Sequence, residues 1–211
     1  YKIKEGIPRF VVNENFTSSF GLQWNQFQKT QLDSHTNTTM SEDRIRTALP
    51  MPLESIKGLK IIEAGSGAGR FTEVLLKYGA IVYSFDLSNA VSANFANNMP
   101  HKNLTIFQGD IEDIPFNDNF FDISICLGVM QHTRDFSKSL QEISRVTRAG
   151  GIISFDHYKT HIGHYTSLYL VYWMIIKRIP KKLQLRVTNL LTKIFFPIHW
   201  VFREYSLIQY L

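Results

Sequence analysis

The residues with the clearest chemical meaning are Glu63-Ala64-Gly65-Ser66-Gly67-Ala68-Gly69 and, 21 residues after Gly65, Asp86. Three glycines at alternate positions let a backbone pass close to a bound ligand. An acid that ends the following apolar run can accept both hydroxyls of a ribose. Together they describe a nucleoside-cofactor site, although a glycine run by itself is also what a plain tight turn looks like.

Spacing narrows the cofactor. A dinucleotide turn reads G-x-G-x-x-G, its last glycine letting a helix pack closely around a pyrophosphate. That position here holds Arg70, and no G-x-x-x-x-G-K-[ST] phosphate loop occurs anywhere in the chain. Glu63 would repel a pyrophosphate, whereas it can receive the ammonium of an amino acid. S-adenosylmethionine, with a sulfonium, an ammonium and a ribose but no phosphate, satisfies these conditions. A nicotinamide-dependent oxidoreductase is the alternative that the glycine spacing disfavours. A catalytically idle binding module is a third possibility, and intact Glu63, Asp86 and Asp110 argue against it.

The elements that must position these groups alternate. Apolar runs at Ile61-Ile62, Ala80–Phe85, Leu104–Phe107, Phe120–Gly128 and Ile152–Phe155 read as strands. Between them Phe71, Val74, Leu75 and Tyr78 mark one helix face stopped by Gly79, and Phe136, Leu140, Ile143 and Val146 mark another. Ser88 is placed to cap a helix running to about Asn97, and Ser41 one running to Pro50. Strand–helix alternation implies an α/β, doubly wound, mainly parallel sheet with right-handed crossovers. Ligands of such sheets bind at the carboxyl ends of the strands, where Gly65, Asp86, Asp110 and Leu127 all fall.

Three further segments complete a pattern: Gln108-Gly109-Asp110-Ile111-Glu112-Asp113-Ile114-Pro115-Phe116, Phe120-Phe121-Asp122-Ile123-Ser124-Ile125-Cys126-Leu127-Gly128, and Glu142–Gly151. With the glycine turn and Asp86, in this order and spacing, residues 58–156 resemble the class I S-adenosylmethionine-dependent methyltransferases. The likeness is to the branch with quinone-biosynthesis and small-molecule enzymes, and it implies a Rossmann-like fold. By this resemblance Glu63, Gly65, Gly67 and Gly69 surround the methionine part of the cofactor, Ala64 and Ser66 also belong to the cofactor-binding turn, and Asp86 holds the ribose. Leu87 and Ile111 enclose the adenine, Asp110 accepts from its amino group, and Leu127 and Gly128 border the sulfonium. Arg70 either reaches the cofactor carboxylate or forms a surface ion pair, and Asp122 is expected to be a strand-start residue. The implied acceptor is a small molecule, a glycan or a lipid-linked intermediate; O- and C-methylation are not distinguished.

Methyl transfer from a sulfonium needs alignment and exclusion of water more than it needs a catalytic group. A hydroxyl acceptor also gains from a base. The first candidate is His132, since an imidazole can take a proton near neutral pH. His157 and Tyr158 come second, and packing at a helix mouth is the bland alternative for His132. His157, His161 and His164 would share a helix face, but no carboxylate or thiolate accompanies them, so no metal site is expected.

The leader, residues 1–57, is polar and irregular in pattern, with Trp24, Phe27 and Leu32 expected to cap the domain and Ser41–Pro50 helical. Residues 157–211 are different again: eight Lys/Arg against Glu204 alone, while residues 1–156 hold 15 basic and 17 acidic residues. The net charge of +5 therefore originates in the last quarter, and no recognised nucleic-acid module accompanies it. Helices are expected at Tyr165–Ile179 and Lys182–Phe196, with no final antiparallel hairpin of the kind this family carries. The hairpin is expected to lie beyond residue 211 rather than to have been replaced. The appendage reads as a substrate lid or a peripheral, anionic-membrane contact, its apolar run being too short to span. Cys126, the only cysteine, is expected to be a small buried hydrophobe, so disulfides and thiolate zinc are excluded and a reducing cytoplasm is the natural compartment.

Overall fold

Val, Ile and Phe dominate the runs that become strands because a parallel sheet is covered on both faces. The computed structural model describes residues 1–11, 18–157, 176 and 178–202. In chain order the elements are β1 (Lys2–Lys4), β2 (Ile7–Arg9), α1 (Ser18–Gln26), α2 (Asp33–Thr36), α3 (Met40–Ala48), β3 (Lys60–Ala64) and α4 (Arg70–Lys77). They continue with β4 (Ile81–Asp86), α5 (Val91–Asn98), β5 (Leu104–Gln108), β6 (Phe121–Cys126), α6 (Phe136–Val146), β7 (Thr147–Phe155) and α7 (Lys181–Phe202). The chain divides into two compact units, Tyr1–Tyr158 and Lys159–Leu211.

The first unit contains a seven-stranded sheet in the order β1-β2-β5-β4-β3-β6-β7. All neighbours run parallel except β1 and β2. Period-2 alternation sends successive side chains to opposite faces. Ile61, Val82, Ile106 and Ile123 pack with Ile45, Phe71, Val74, Leu75 and Val91 on the side of α3, α4 and α5. Ile62, Phe85, Phe107 and Cys126 pack with Ile143 and Val146 of α6. Cys126 is 1% exposed and burial pushes its thiol up to about 12, which leaves it an inert hydrophobe.

Several local expectations are corrected. The leader is not irregular: β1 and β2 form an antiparallel hairpin, and β2 joins the sheet edge through Arg9 opposite Gln108. Ser41 does not cap α3 but lies inside it, buried, its hydroxyl donating to the carbonyl of Gln31. The amides of Ser41 and Glu42 instead donate to the carboxylate of Asp33, eight and nine residues away. Ser88 does not start α5, which begins at Val91; its hydroxyl donates to Asp86 and accepts from the amide of Ala90. Strand β7 starts at Thr147, five residues before the expected apolar run, with an irregular register opposite Phe121–Ile123. Phe136 leaves the buried face of α6 and packs against Phe155 on the surface.

In the second unit α7 extends past the expected end to Phe202. The predicted helix Tyr165–Ile179 lies outside the described residues except at Ile176, Arg178 and Ile179. Among the described residues no strand follows Phe155, and no helix is long and apolar enough to cross a membrane.

Candidate cofactor and acceptor site

The carboxyl ends of β3, β4, β5 and β6 open into a cavity of about 360 Å³, with α1 and the start of α4 supplying further walls. Its floor is the turn after β3. The amides of Gly65 and Ser66 donate to the carbonyl of Phe85 at 2.8 and 3.0 Å, and the amide of Gly69 to that of Ser66 at 2.9 Å. Gly65 and Gly69 have φ of +76° and +86°, a region closed to most side chains. A Cβ at Gly65 would lie 2.2 Å from Val129 Cγ2, and one at Gly69 2.2 Å from Asn94 Oδ1. Both positions are therefore closed to any side chain, Gly65 by Val129 of the cavity wall and Gly69 by Asn94 of α5.

Asp86 ends β4 beside this turn. Its Oδ1 accepts from the amide and hydroxyl of Ser88 at 2.8 and 2.7 Å, and its Oδ2 accepts from the amide of Gly67 at 3.0 Å. Removal from water raises its pKa above the usual carboxylate range, and these three donors oppose the rise. Oδ2 keeps unused acceptor capacity on the cavity wall.

Glu63 lies behind the turn, 2% exposed, and is not itself a cavity-lining residue. Its Oε2 accepts from the hydroxyls of Thr72 and, at 2.9 Å, Ser84. Its Oε1 is buried without a partner. Burial pushes the carboxyl up to about 7, which the Thr72 and Ser84 bonds oppose and the charge of Asp86 reinforces. Asn94 on α5 ties this group together, its amide donating to Thr72 at 3.0 Å and Ser84 at 2.8 Å. Asn97 donates to the carbonyls of Ala68 and Gln28, and Asn98 to that of Gly69.

Of the residues singled out from the sequence, Gly65, Ser66, Gly67, Arg70, Asp86, Leu87, Asp110, Ile111, Leu127, Gly128 and His132 line this one cavity. Glu63, Ala64 and Gly69 stand behind it. Asp110 is already engaged: Oδ1 accepts from the amide of Glu112 at 3.0 Å, and Oδ2 pairs with Arg134. Asp122 lies at the far end of β6, where it accepts from the amide of Lys60 at 2.8 Å and from Arg148 at 2.7 Å. Arg70 forms no surface ion pair among the described residues; its guanidinium stacks 4.2 Å above the ring of Phe71.

His132 closes the 3-10 turn Met130–His132 and meets the ring of Phe20 from α1 at 5.2 Å. His157 stands against Phe136 and is not a cavity residue; Tyr158, His161 and His164 lie outside the described residues. Trp24 lies over the turn, its ring 3.2 Å from where a Cβ on Gly67 would be, and buried Leu32 also lines the cavity, whereas Phe27 does not. Local motifs gave no sign of Arg44, Thr72, Ser84, Asn94 or Arg134. They reach the site from other elements, and only the fold brings them there.

These residues fit S-adenosylmethionine. The buried Oε1 of Glu63 and the buried hydroxyl of Ser66 are polar atoms without partners at the turn, where an amino-acid moiety offers both donors and acceptors. Asp86 presents an acceptor for a ribose, and Arg70 a cation for a carboxylate.

Comparison with known proteins gives the same answer. The profile of the methyltransferase domain family matches residues 62–155. The malonyl-[acyl-carrier protein] O-methyltransferase of Pectobacterium atrosepticum is 34% identical over 105 residues, 50% of this chain and 40% of that protein. The demethylmenaquinone methyltransferase of Corynebacterium efficiens is 32% identical over 144 residues, 66% of this chain and 60% of that one. The chain thus spans 40–60% of the length of these two relatives. A solved structure from Methanococcus maripaludis, assigned as an S-adenosyl-L-methionine-dependent methyltransferase, superposes over 92% of this chain and 87% of its own with a TM-score of 0.52. At 20% identity it speaks for the fold alone. Residues 62–155 thus match the methyltransferase domain family, on a fold shared with S-adenosylmethionine-dependent methyltransferases.

Proposed function

We propose that this protein transfers a methyl group from S-adenosylmethionine to a small-molecule, glycan or lipid-linked acceptor. The observation that carries the reading is the pair of carboxylates around one glycine turn, Asp86 on the cavity wall and Glu63 with an orphaned oxygen behind it. When bound, the cofactor supplies an electrophilic methyl on a sulfonium. Glu63 and Ser66 would hold its amino-acid end, with Arg70 receiving the carboxylate. Asp86 would hold the ribose through Oδ2. Leu87 and Ile111 would enclose the adenine, while Asp110 would share its acceptor capacity between the adenine amino group and Arg134. Trp24 and Phe20 on α1 cover the turn and His132, which would keep water from the reacting atoms. His132 would take the proton of a hydroxyl acceptor.

The appendage adds a second element to the proposal. Leu183, Leu190 and Ile194, spaced for one face of α7, are about half exposed, and Arg186 and Lys193 are exposed on the same helix. An amphipathic helix with basic residues and no acidic one suits the surface of an anionic membrane without crossing it. Incubation of the purified protein with labelled S-adenosylmethionine and panels of phenolic, carboxylic, glycan and polyprenyl-linked acceptors tests the activity. Incorporation of label into an acceptor supports it; label left in the donor across every panel, by a protein that binds the donor, counts against it.

A further inference from the structure

Of the charged side chains that line the cavity, Asp86, Asp110 and Glu112 stand at the β4–β5 side, with Arg134 paired to the last two, whereas Arg44 and Arg70 lie outside that group. Asp156, after β7, is committed within the protein: Oδ1 accepts from the amide of Gly128 at 2.5 Å, and Oδ2 pairs with Arg44 Nη2. That pairing draws Arg44, from α3, across to the mouth of β6, 3.8 Å from where a Cβ on Gly128 would be. Its Nε and Nη1 donate to nothing among the described residues. Arg70, half-buried, has no hydrogen bond or ion pair there at all. Two guanidinium groups with unused donors therefore lie close enough to repel one another, and the carboxylates that act on Arg70, those of Glu63, Asp33 and Asp156, are already engaged within the protein.

The cofactor brings a single carboxylate, which Arg70, directly after the glycine turn, is placed to receive. Arg44, which also lines the cavity, is then left with Nε and Nη1 unclaimed. We infer that the methyl acceptor is an anion whose carboxylate or phosphate is received by Arg44, an inference that rests on the cofactor placement proposed above. Guanidinium suits this task because its planar donors match the two oxygens of either anion.

Calorimetric titration of malonate, and of neutral malonamide, into protein saturated with S-adenosylhomocysteine tests the inference. Malonate should bind saturably and malonamide should not. Arg44→Gln should weaken malonate tenfold or more while S-adenosylhomocysteine binds as in the wild type. Arg44→Lys, which keeps the charge but not the planar fork, should fall between the wild type and Arg44→Gln. Equal behaviour of malonate and malonamide overturns the inference, and that comparison needs no variant. So does an Arg44→Gln protein that loses S-adenosylhomocysteine in step with malonate, which would make Arg44 part of the cofactor site. Malonate affinity unchanged in Arg44→Gln overturns it as well. Failure of the wild type to bind S-adenosylhomocysteine refutes the cofactor reading instead.

Discussion

Glu63 turns the buried side of the glycine turn into a pH-dependent contributor to stability. Its carboxyl is held at about 7 in the folded protein against 4.5 in its ordinary state, chiefly because burial penalises the charged form. An acid raised on folding is bound to its proton more firmly in the native state than in the unfolded one. Its contribution is therefore fully present below pH 4.5 and lost as pH rises through 7. A shift of this size corresponds to about 3 kcal/mol. Glu63→Gln keeps an oxygen to accept from Thr72 and Ser84 but cannot ionise. Urea unfolding of the ligand-free protein at intervals between pH 4.5 and 8.5 should show wild type losing about 3 kcal/mol relative to Glu63→Gln, most of it between pH 5 and 7. The same carboxylate, once ionised, is the partner proposed for the cofactor ammonium. S-adenosylmethionine should accordingly bind more tightly as pH rises toward 7 and level off above it. A stability difference between the two proteins that stays flat across this range would refute the reasoning, because Glu63 would then ionise as freely folded as unfolded.

Other expectations can be checked independently. Asp86→Ala should weaken S-adenosylmethionine ten- to a hundredfold, about 1.5–3 kcal/mol, with the fold retained, as read by calorimetry and circular dichroism; an unchanged dissociation constant would remove Asp86 from the site. If the acceptor is a hydroxyl, His132→Ala should lower kcat about 10²-fold while cofactor affinity holds, and wild-type turnover would leave His132 as a packing partner of Phe20. The protein should sediment with vesicles containing phosphatidylserine and not with neutral ones, with loss at high salt or in Arg186→Glu/Lys193→Glu; sedimentation with neither removes the membrane contact.

What was legible in the sequence was what is local. Strands β3 to β6 are buried on both faces, so their residues read as apolar runs, and the glycine turn and Asp86 carry their meaning in a few adjacent positions. The β1–β2 hairpin escaped because its strands are three residues each and β1 is exposed throughout; its place depends on Arg9 meeting Gln108. The cap of α3 is hidden for a similar reason: Ser41 has the right residue type for a cap, but Asp33 supplies the acceptor from outside the local pattern. The polar packing of Glu63 was hidden in the same way, since Thr72, Ser84 and Asn94 come from three elements that only the folded sheet brings together. Arg44 lies 112 residues from Asp156, and no motif connects them.

Every role proposed above depends on S-adenosylmethionine entering the cavity over Gly65, Gly67 and Asp86. Calorimetric titration of the protein at pH 8 with S-adenosylmethionine, S-adenosylhomocysteine and NAD tests it directly. Saturable one-site binding of the first two, weakened in Asp86→Ala, and none of NAD is the expected result. Tight binding of NAD with no heat from S-adenosylmethionine would contradict it.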